Sequence, residues 1–218
     1  MTENQELRKY LVEKNEYNVE RAKEAYDFII GNETEAIKHH KDGVYLRYED
    51  GHEEWFNGKN KKENVVGVAI HLGERHTCIA KFDVEDDDDE FVKEFPLLMN
   101  NNNDTEEDKK AFITSNFDAY NDLDGKKHTE SLMRRGCKIP LAENQYIPSQ
   151  GEWLLVLMFF KRVQEALDYV CGEMLKSAWY WSSTEYTSYY AWYASCGGGS
   201  ICNFYRKHRA SRVRPCLK

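Results

Sequence analysis

The chain's patterning predicts an α+β fold, in which helices stand apart from a run of short antiparallel strands. Three observations carry this. Apolar residues recur at helical spacing in residues 1–30 and 150–167. Apolar and polar residues alternate in 43–81 and again after 178. No glycine-rich phosphate loop precedes a helix, so nothing supports a parallel nucleotide-binding sheet.

In the first 30 residues, Leu7, Tyr10 and Leu11, then Ala22, Ala25, Tyr26 and Ile29, mark two amphipathic helices ending before Gly31. Their apolar stripes must bury against this protein's own sheet or against a second copy, so a homo-oligomer through these helices is one reading. Residues 1–30 are thus expected as a helical segment and 31–218 as one domain. A chain of 218 residues with 41% apolar content can build one generous core.

Residues 43–56 alternate around Asp50-Gly51, a dipeptide suited to a tight hairpin, and residues 63–82 read as a second hairpin turning at Gly73. That second turn brings His71, His76 and Cys78 near one another. Without a fourth ligand or a cleft they are expected as hairpin surface, not as a metal site. From Asp83 to Glu90 every residue but Val84 is acidic, and Asn100 to Asn103 add a polar tract, so 83–110 is expected as an inserted, solvated loop. Calcium-loop spacing is absent there.

A short helix is expected near 126–135, stopped by Gly136. The clearest helix follows Ser149, which with Glu152 forms a capping box; Trp153, Leu157, Phe160, Val163 and Leu167 then make one stripe. Strands are expected at 178–184, 190–196, 200–206 and 211–216, with Gly197-Gly198-Gly199 as a turn. Cys196 and Cys202 straddle that turn. The six cysteines include no C-x-x-C pair, so no zinc or redox motif is supported and free thiols are expected.

Charge is segregated along the chain. After Glu185 there is no Asp or Glu, while six basic residues remain; the first 185 residues hold 24 basic against 38 acidic groups, a net −14. Ten of the 29 aromatic residues fall between Trp179 and Tyr205. Tyr, Ser, Gly, Asn and Arg on a neutral-to-basic surface suit recognition, because Tyr offers a large amphipathic contact at small entropic cost. Trp179, Trp181 and Trp192 are expected in the core. The overall charge of −8 argues against a dedicated nucleic-acid binder, and the longest apolar run, at 154–160, is too short to span a bilayer. The charged amino terminus lacks a signal-peptide pattern, so a cytoplasmic product is expected.

The segments IPSQGEW (147–153), WYWSSTEY (179–186), Ala191-Trp192 and RVRP (212–215) resemble bacterial and phage proteins of the C-type lectin fold related to the formylglycine-generating enzyme. Within that group the chain looks most like the variable proteins of diversity-generating retroelements. The resemblance implies a C-type lectin-like domain with short antiparallel strands and two helices, preceded by the N-terminal helices and the hairpin region. It also implies a non-catalytic receptor-recognition protein that uses no cofactor. Its target would be an unidentified protein or glycan, and the product could be virion-associated.

Such retroelements randomise adenines in Asn-rich templates, which cannot yield Gln, Glu, Lys, Met or Trp. Between residues 187 and 211 only Trp192 and Lys207 belong to those types, whereas residues 149 to 186 contain thirteen of them. By the family layout the diversified, ligand-binding positions are Thr187, Ser188, Tyr189, Tyr190, Tyr193, Ser195, Gly198, Ser200, Cys202, Asn203, Phe204, Tyr205, His208, Arg209, Ala210 and Ser211. Tyr189, Tyr190, Tyr193, Phe204 and Tyr205 are expected to point outward as anchors.

The frame is expected to be Trp181, Glu185, Trp192, Arg212, Val213 and Arg214, with Glu185 paired to Arg212 or Arg214 for about 1 kcal/mol or less. Two alternatives remain. A formylglycine-generating-enzyme-like oxidase would need a copper-binding cysteine pair, and the nearest, Cys196 and Cys202, lies within the segment that looks randomised. A structural phage component would assemble through the N-terminal helices. The sugar-calcium tripeptides of animal lectins are absent.

Overall fold

The computed structural model describes residues 40–86, 93–99, 104–197 and 200–218, and only the backbone of 200–203. The helices expected in 1–30 lie outside the described residues. The chain divides into two compact units, Met1–His40 and Lys41–Lys218, so the second unit begins ten residues later than expected.

The Lys41–Lys218 unit is mixed α+β, with two sheets and five short helices among its described residues. The first sheet joins β1 (Gly43–Tyr48), β2 (Glu53–Trp55), β3 (Val65–Leu72), β4 (Arg75–Ala80), β6 (Gln145–Tyr146) and β11 (Cys216–Leu217) in the order β2-β1-β3-β4-β11-β6, all antiparallel. Both expected hairpins are present. Gly73 sits at φ +59°, a conformation that only glycine adopts without strain, and so turns β3 into β4.

The second sheet has the order β5-β10-β7-β8-β9, from β5 (Glu94–Pro96), β7 (Trp179–Glu185), β8 (Tyr190–Ser195), β9 (Ser200–Arg206) and β10 (Ala210–Arg212). The expected strand at 211–216 is instead two strands, β10 and β11, one in each sheet. It therefore ties the sheets together. β10 runs parallel to β7 with Arg212 opposite Tyr180; every other pairing in this sheet is antiparallel.

Between Met158 and Phe160 the expected long helix breaks, giving α4 (Gln150–Met158) and α5 (Phe160–Tyr169), with Phe159 off helical geometry at φ −107°, ψ 19°. α4 touches β3 and β4 of one sheet and β7, β8 and β9 of the other. Burial on two sides explains why Trp153, Leu155 and Val156 are all inside and why no single stripe marks this helix. The Ser149–Glu152 capping box forms as expected. Beside it, Gly125 opens α3 (Gly125–Arg134); a Cβ there would lie 2.2 Å from Glu152 Oε2, so the helix can approach only as glycine.

The segment 83–110 is not simply a solvated insertion. Asp83, Val84, Phe95, Leu97 and Leu98 are buried, β5 is an edge of the second sheet, and α1 (Glu106–Lys110) is closed by a capping box from Thr105 and Asp108. α2 (Asn116–Asn121) follows, capped by Ser115. These pieces enter the core because Phe95, Leu97 and Leu98 pack with Trp181, Ala191, Tyr193 and Val213. The other core lies between the first sheet, α4 and α5, and takes Tyr180 and Ala194 from the second sheet's opposite face.

Three buried indoles fasten these parts, each donating to a carbonyl as a buried Trp must. Trp153 bonds Trp181 O at 3.0 Å, Trp181 bonds Phe95 O at 2.8 Å, and Trp192 bonds Ile113 O at 2.8 Å. No helix among the described residues is long and apolar enough to cross a membrane.

Candidate ligand-binding surface

The edge of the second sheet carries the residues singled out in the sequence. Pairing of β8 with β9 sets Tyr190 opposite Arg206, Ala191 opposite Tyr205, Trp192 opposite Phe204 and Tyr193 opposite Asn203. Alternation then places Tyr190, Trp192, Phe204 and Arg206 on one face and Ala191, Tyr193 and Tyr205 on the other.

On the first face, Tyr186 and Phe204 stack at 4.0 Å with planes 3° apart, and Tyr190 meets Phe204 edge-on at 5.7 Å. Buried Trp192 forms the floor, 6.1 Å from Phe204. On the second face Trp179 lies 5.0 Å from Tyr193 and 5.3 Å from Tyr205. Trp179, expected in the core, is 45% exposed because it begins β7 beyond the end of the core that holds Trp181. Trp179 and Tyr186 thus belong to the aromatic surface, and sequence reasoning missed both. Alternation along β7 groups Trp179 with Trp181 and gives no sign of where the cover stops.

The turn 186–190 holds itself. Thr187 Oγ1 accepts from the amides of Tyr189 and Tyr190, both at 3.2 Å, and Tyr189 O accepts from Lys207 N at 3.0 Å. This last bond sets the turn beside residues 206–209, where Arg206, His208 and Arg209 are exposed. The rim of the surface is basic.

Of the positions expected to vary, Gly198 and the side chains of Ser200, Cys202 and Asn203 lie outside the description. Among the other twelve, Thr187, Ser188, Tyr189, Tyr190, Phe204, Tyr205, His208, Arg209 and Ala210 are exposed or half-buried. Tyr193, Ser195 and Ser211 are buried, contrary to the outward placement expected for Tyr193. Tyr193 turns toward Trp181 and Val213, and its neighbour Trp179 takes the open position.

Beneath the surface lies an ion network different from the one expected. The Glu185 carboxylate accepts from both Arg135 terminal nitrogens, one at 3.1 Å, and from Lys207 Nζ. Arg135 also donates to Asp104 Oδ1 at 2.8 Å. Arg212 and Arg214 bind Asp83 instead, at 2.9 and 2.6 Å. The parallel register explains the correction: Arg212 sits beside Tyr180, at the opposite end of β7 from Glu185. Burial pushes the Lys207 ammonium below its usual pKa, against the pull of Glu185, whereas Glu185 and Asp104 hold Arg135 above its usual value despite burial. The two cations share one carboxylate, and the diffuse guanidinium tolerates burial better than the compact ammonium.

Both Trp192 and Lys207 are about 1% exposed. Cys196 is a free thiol, and burial pushes it up to about 12, away from thiolate chemistry.

No family model matches this chain, and no curated protein matches it. A crystal structure of a fimbrial protein from Bacteroides ovatus is similar at 15% sequence identity and a TM-score of 0.45, over 82% of this chain. The chain spans about half, 49%, of that protein's length.

Proposed function

We propose that this is a non-catalytic recognition protein of the C-type lectin fold, and that the open edge of its second sheet is diversified by a retroelement to bind a protein or glycan. One observation carries the reading. In the stretch 187–211, the two residues that adenine randomisation of Asn codons cannot produce, Trp192 and Lys207, are both buried, while nine of the twelve described positions expected to vary are exposed or half-buried.

A frame of this kind fixes the backbone by sheet pairing and buried indoles, leaving open side chains free to change without loss of fold. Tyr186, Tyr189, Tyr190 and Phe204 supply rigid aromatic contact, and Arg206, His208 and Arg209 supply polar reach.

Two experiments test this. The surrounding DNA should hold a near-identical repeat of the codons for 187–211 that differs only at adenines; a locus without one rejects diversification. An array of glycans and cell-surface proteins should yield a ligand whose binding is lost in a Tyr189→Ala/Tyr190→Ala/Phe204→Ala variant. A ligand bound equally by that variant places recognition elsewhere.

A further inference from the structure

β9 is the last strand of the second sheet, with no strand beyond it among the described residues. Main-chain bonds fix which of its groups face outward. Tyr190 O accepts from the amides of Tyr186 and Thr187, so Tyr190 bonds toward β7 and its neighbour Ala191 toward β9. Lys207 N donates to Tyr189 O, and the register sets Ala191 opposite Tyr205. The bonded pairs are therefore Tyr189 with Lys207 and Ala191 with Tyr205, and the main-chain groups of Phe204 and Arg206 point away from β8. Arg206 O is taken by Arg209 N at 2.9 Å, in a turn that ends the strand. Phe204 N–H, Phe204 C=O and Arg206 N–H are left on the outer side.

Sheet edges are ordinarily protected by proline, lysine, bulges or short length. β9 spans seven residues, SICNFYR, with no proline or lysine. The irregularity of its register with β8 lies between Tyr193 and Ser195, at the far end from Arg206. Near the turn, Phe204 and Arg206 are exposed on the face shared with Tyr190 and Trp192. Exposed His208 and Arg209 follow, and no Asp or Glu after Glu185 neutralises them. The edge is a template for pairing, with a basic end.

Resting on that recognition role, we propose that the partner is a protein, held by an extended acidic segment that adds to the sheet as a strand beside β9. A partner main chain returns donor for acceptor at the two-residue spacing of Phe204 and Arg206, about 7 Å, whereas sugar hydroxyls follow the geometry of their own ring. Main-chain pairing does not depend on side chains, so it gives a constant grip on a surface whose side chains vary, and alternate side chains then supply the choice. Residues opposite Arg206 and Phe204 emerge on one face, two positions apart. The segment therefore carries an acidic residue opposite Arg206 and an apolar one opposite Phe204. A second copy of this chain fits worse, because pairing two β9 strands brings two basic ends to one seam.

The test is selection of a displayed library of random twelve-residue peptides on the full-length protein, followed by titration of the best synthetic peptide. Enriched sequences should carry Asp or Glu two residues from an apolar residue. N-methylation of alternate peptide amides should weaken binding at least about tenfold in one of the two alternating patterns and be tolerated in the other, since only one set of amides faces β9. Phe204→Ala removes a ring; Phe204→Pro removes the ring and the outward N–H but no bond to β8, a change that an edge strand tolerates. Binding should fall at least about tenfold further in the proline variant. In the wild type, peptide should slow hydrogen exchange of the Phe204 and Arg206 amides, a readout independent of any variant. Failure to enrich a peptide, enrichment without acidic residues, equal binding by both methylated forms, or unchanged exchange at Phe204 and Arg206 overturns the proposal. A glycan bound through Tyr189, Tyr190 and Phe204, with no peptide selected, overturns the added strand and leaves the recognition role standing. An acidic peptide bound as expected, at a locus without a template repeat, supports the added strand and removes diversification.

Discussion

β7 and β9 flank the same strand, β8, and have similar makeup: seven residues each, rich in aromatic and small polar side chains. Their surroundings differ completely. β7 has β10 on its far side, α4 against one face and the Leu97–Leu98–Val213 core against the other, and every residue but Trp179 is buried. β9 is the edge, and its described side chains Phe204, Tyr205 and Arg206 reach solvent. Both strands keep their backbones by hydrogen bonding to β8. Composition therefore does not decide which aromatic is frame and which is contact. Position in the sheet does, and an edge strand can change its side chains without disturbing the pairing that holds it.

The largest effects should come from the frame. Glu185→Ala leaves Arg135 and Lys207 buried with their shared carboxylate gone, whereas Arg214→Ala leaves Asp83 its bonds from Arg212 and Tyr180. Glu185→Ala should cost about 3–5 kcal/mol, because a buried charge without its partner is far costlier than a lost surface pair, and Arg214→Ala should cost less. Chemical denaturation measures this, and a loss below about 1 kcal/mol for Glu185→Ala would mean that the network is solvated. Trp181→Ala should fall in the same range, about 3–5 kcal/mol, since it removes a fully buried indole and its bond to Phe95 O.

A middle-sized effect is expected where β7 is tied to the loop before α3. Thr184 Oγ1 donates to Asp122 Oδ2, and His128 Nε2 lies 3.0 Å from Asp122 Oδ1. Burial opposes both charges, but their mutual bond raises the His128 pKa above 6.5 and lowers the Asp122 pKa below 3.8. The His128 contribution is present below its unfolded value of 6.5 and is lost as pH rises through its raised folded value. The Asp122 contribution is present above 3.8 and is lost as pH falls through its lowered folded value. Wild type should lose about 1 kcal/mol between slightly acidic and alkaline pH, and His128→Gln should flatten that slope. Equal slopes in the two proteins would sink the assignment.

Much of the frame was legible because its signals are local. Asp50-Gly51 and Gly73 each mark a turn, Ser149 with Glu152 marks a helix start, and Gly197-Gly198-Gly199 marks where β9 can begin. The largest failure is long-range. Glu185 chose Arg135, fifty residues away, over the arginines nearest in the tail, and only the parallel β10–β7 register reveals why. The break at Phe159 has no Pro or Gly to announce it. Thr105 with Asp108 did carry a capping signal for α1, but the acidic run before it masked the signal. Glu53, which bonds His71 and His76, stood one hairpin away from them, and spacing alone could not bring it there.

The smallest effects on stability should come from the edge, and they decide the comparison. Tyr189 is 65% exposed and Arg209 is exposed, so Tyr189→Ala and Arg209→Ala should each change stability by no more than about 0.5 kcal/mol. Phe204→Ala, which loses a stacking partner at 42% exposure, should cost about 1 kcal/mol. The buried exceptions sharpen the contrast. Tyr193 sits among the expected contacts yet faces Trp181, so Tyr193→Ala should destabilise by about 3 kcal/mol or more, behaving as frame despite its place in the varied stretch. If Tyr193→Ala is as mild as Tyr189→Ala, the second face of the hairpin is loosely packed. The division between a fixed inner strand and a free edge would then fail on the residue that separates them most directly.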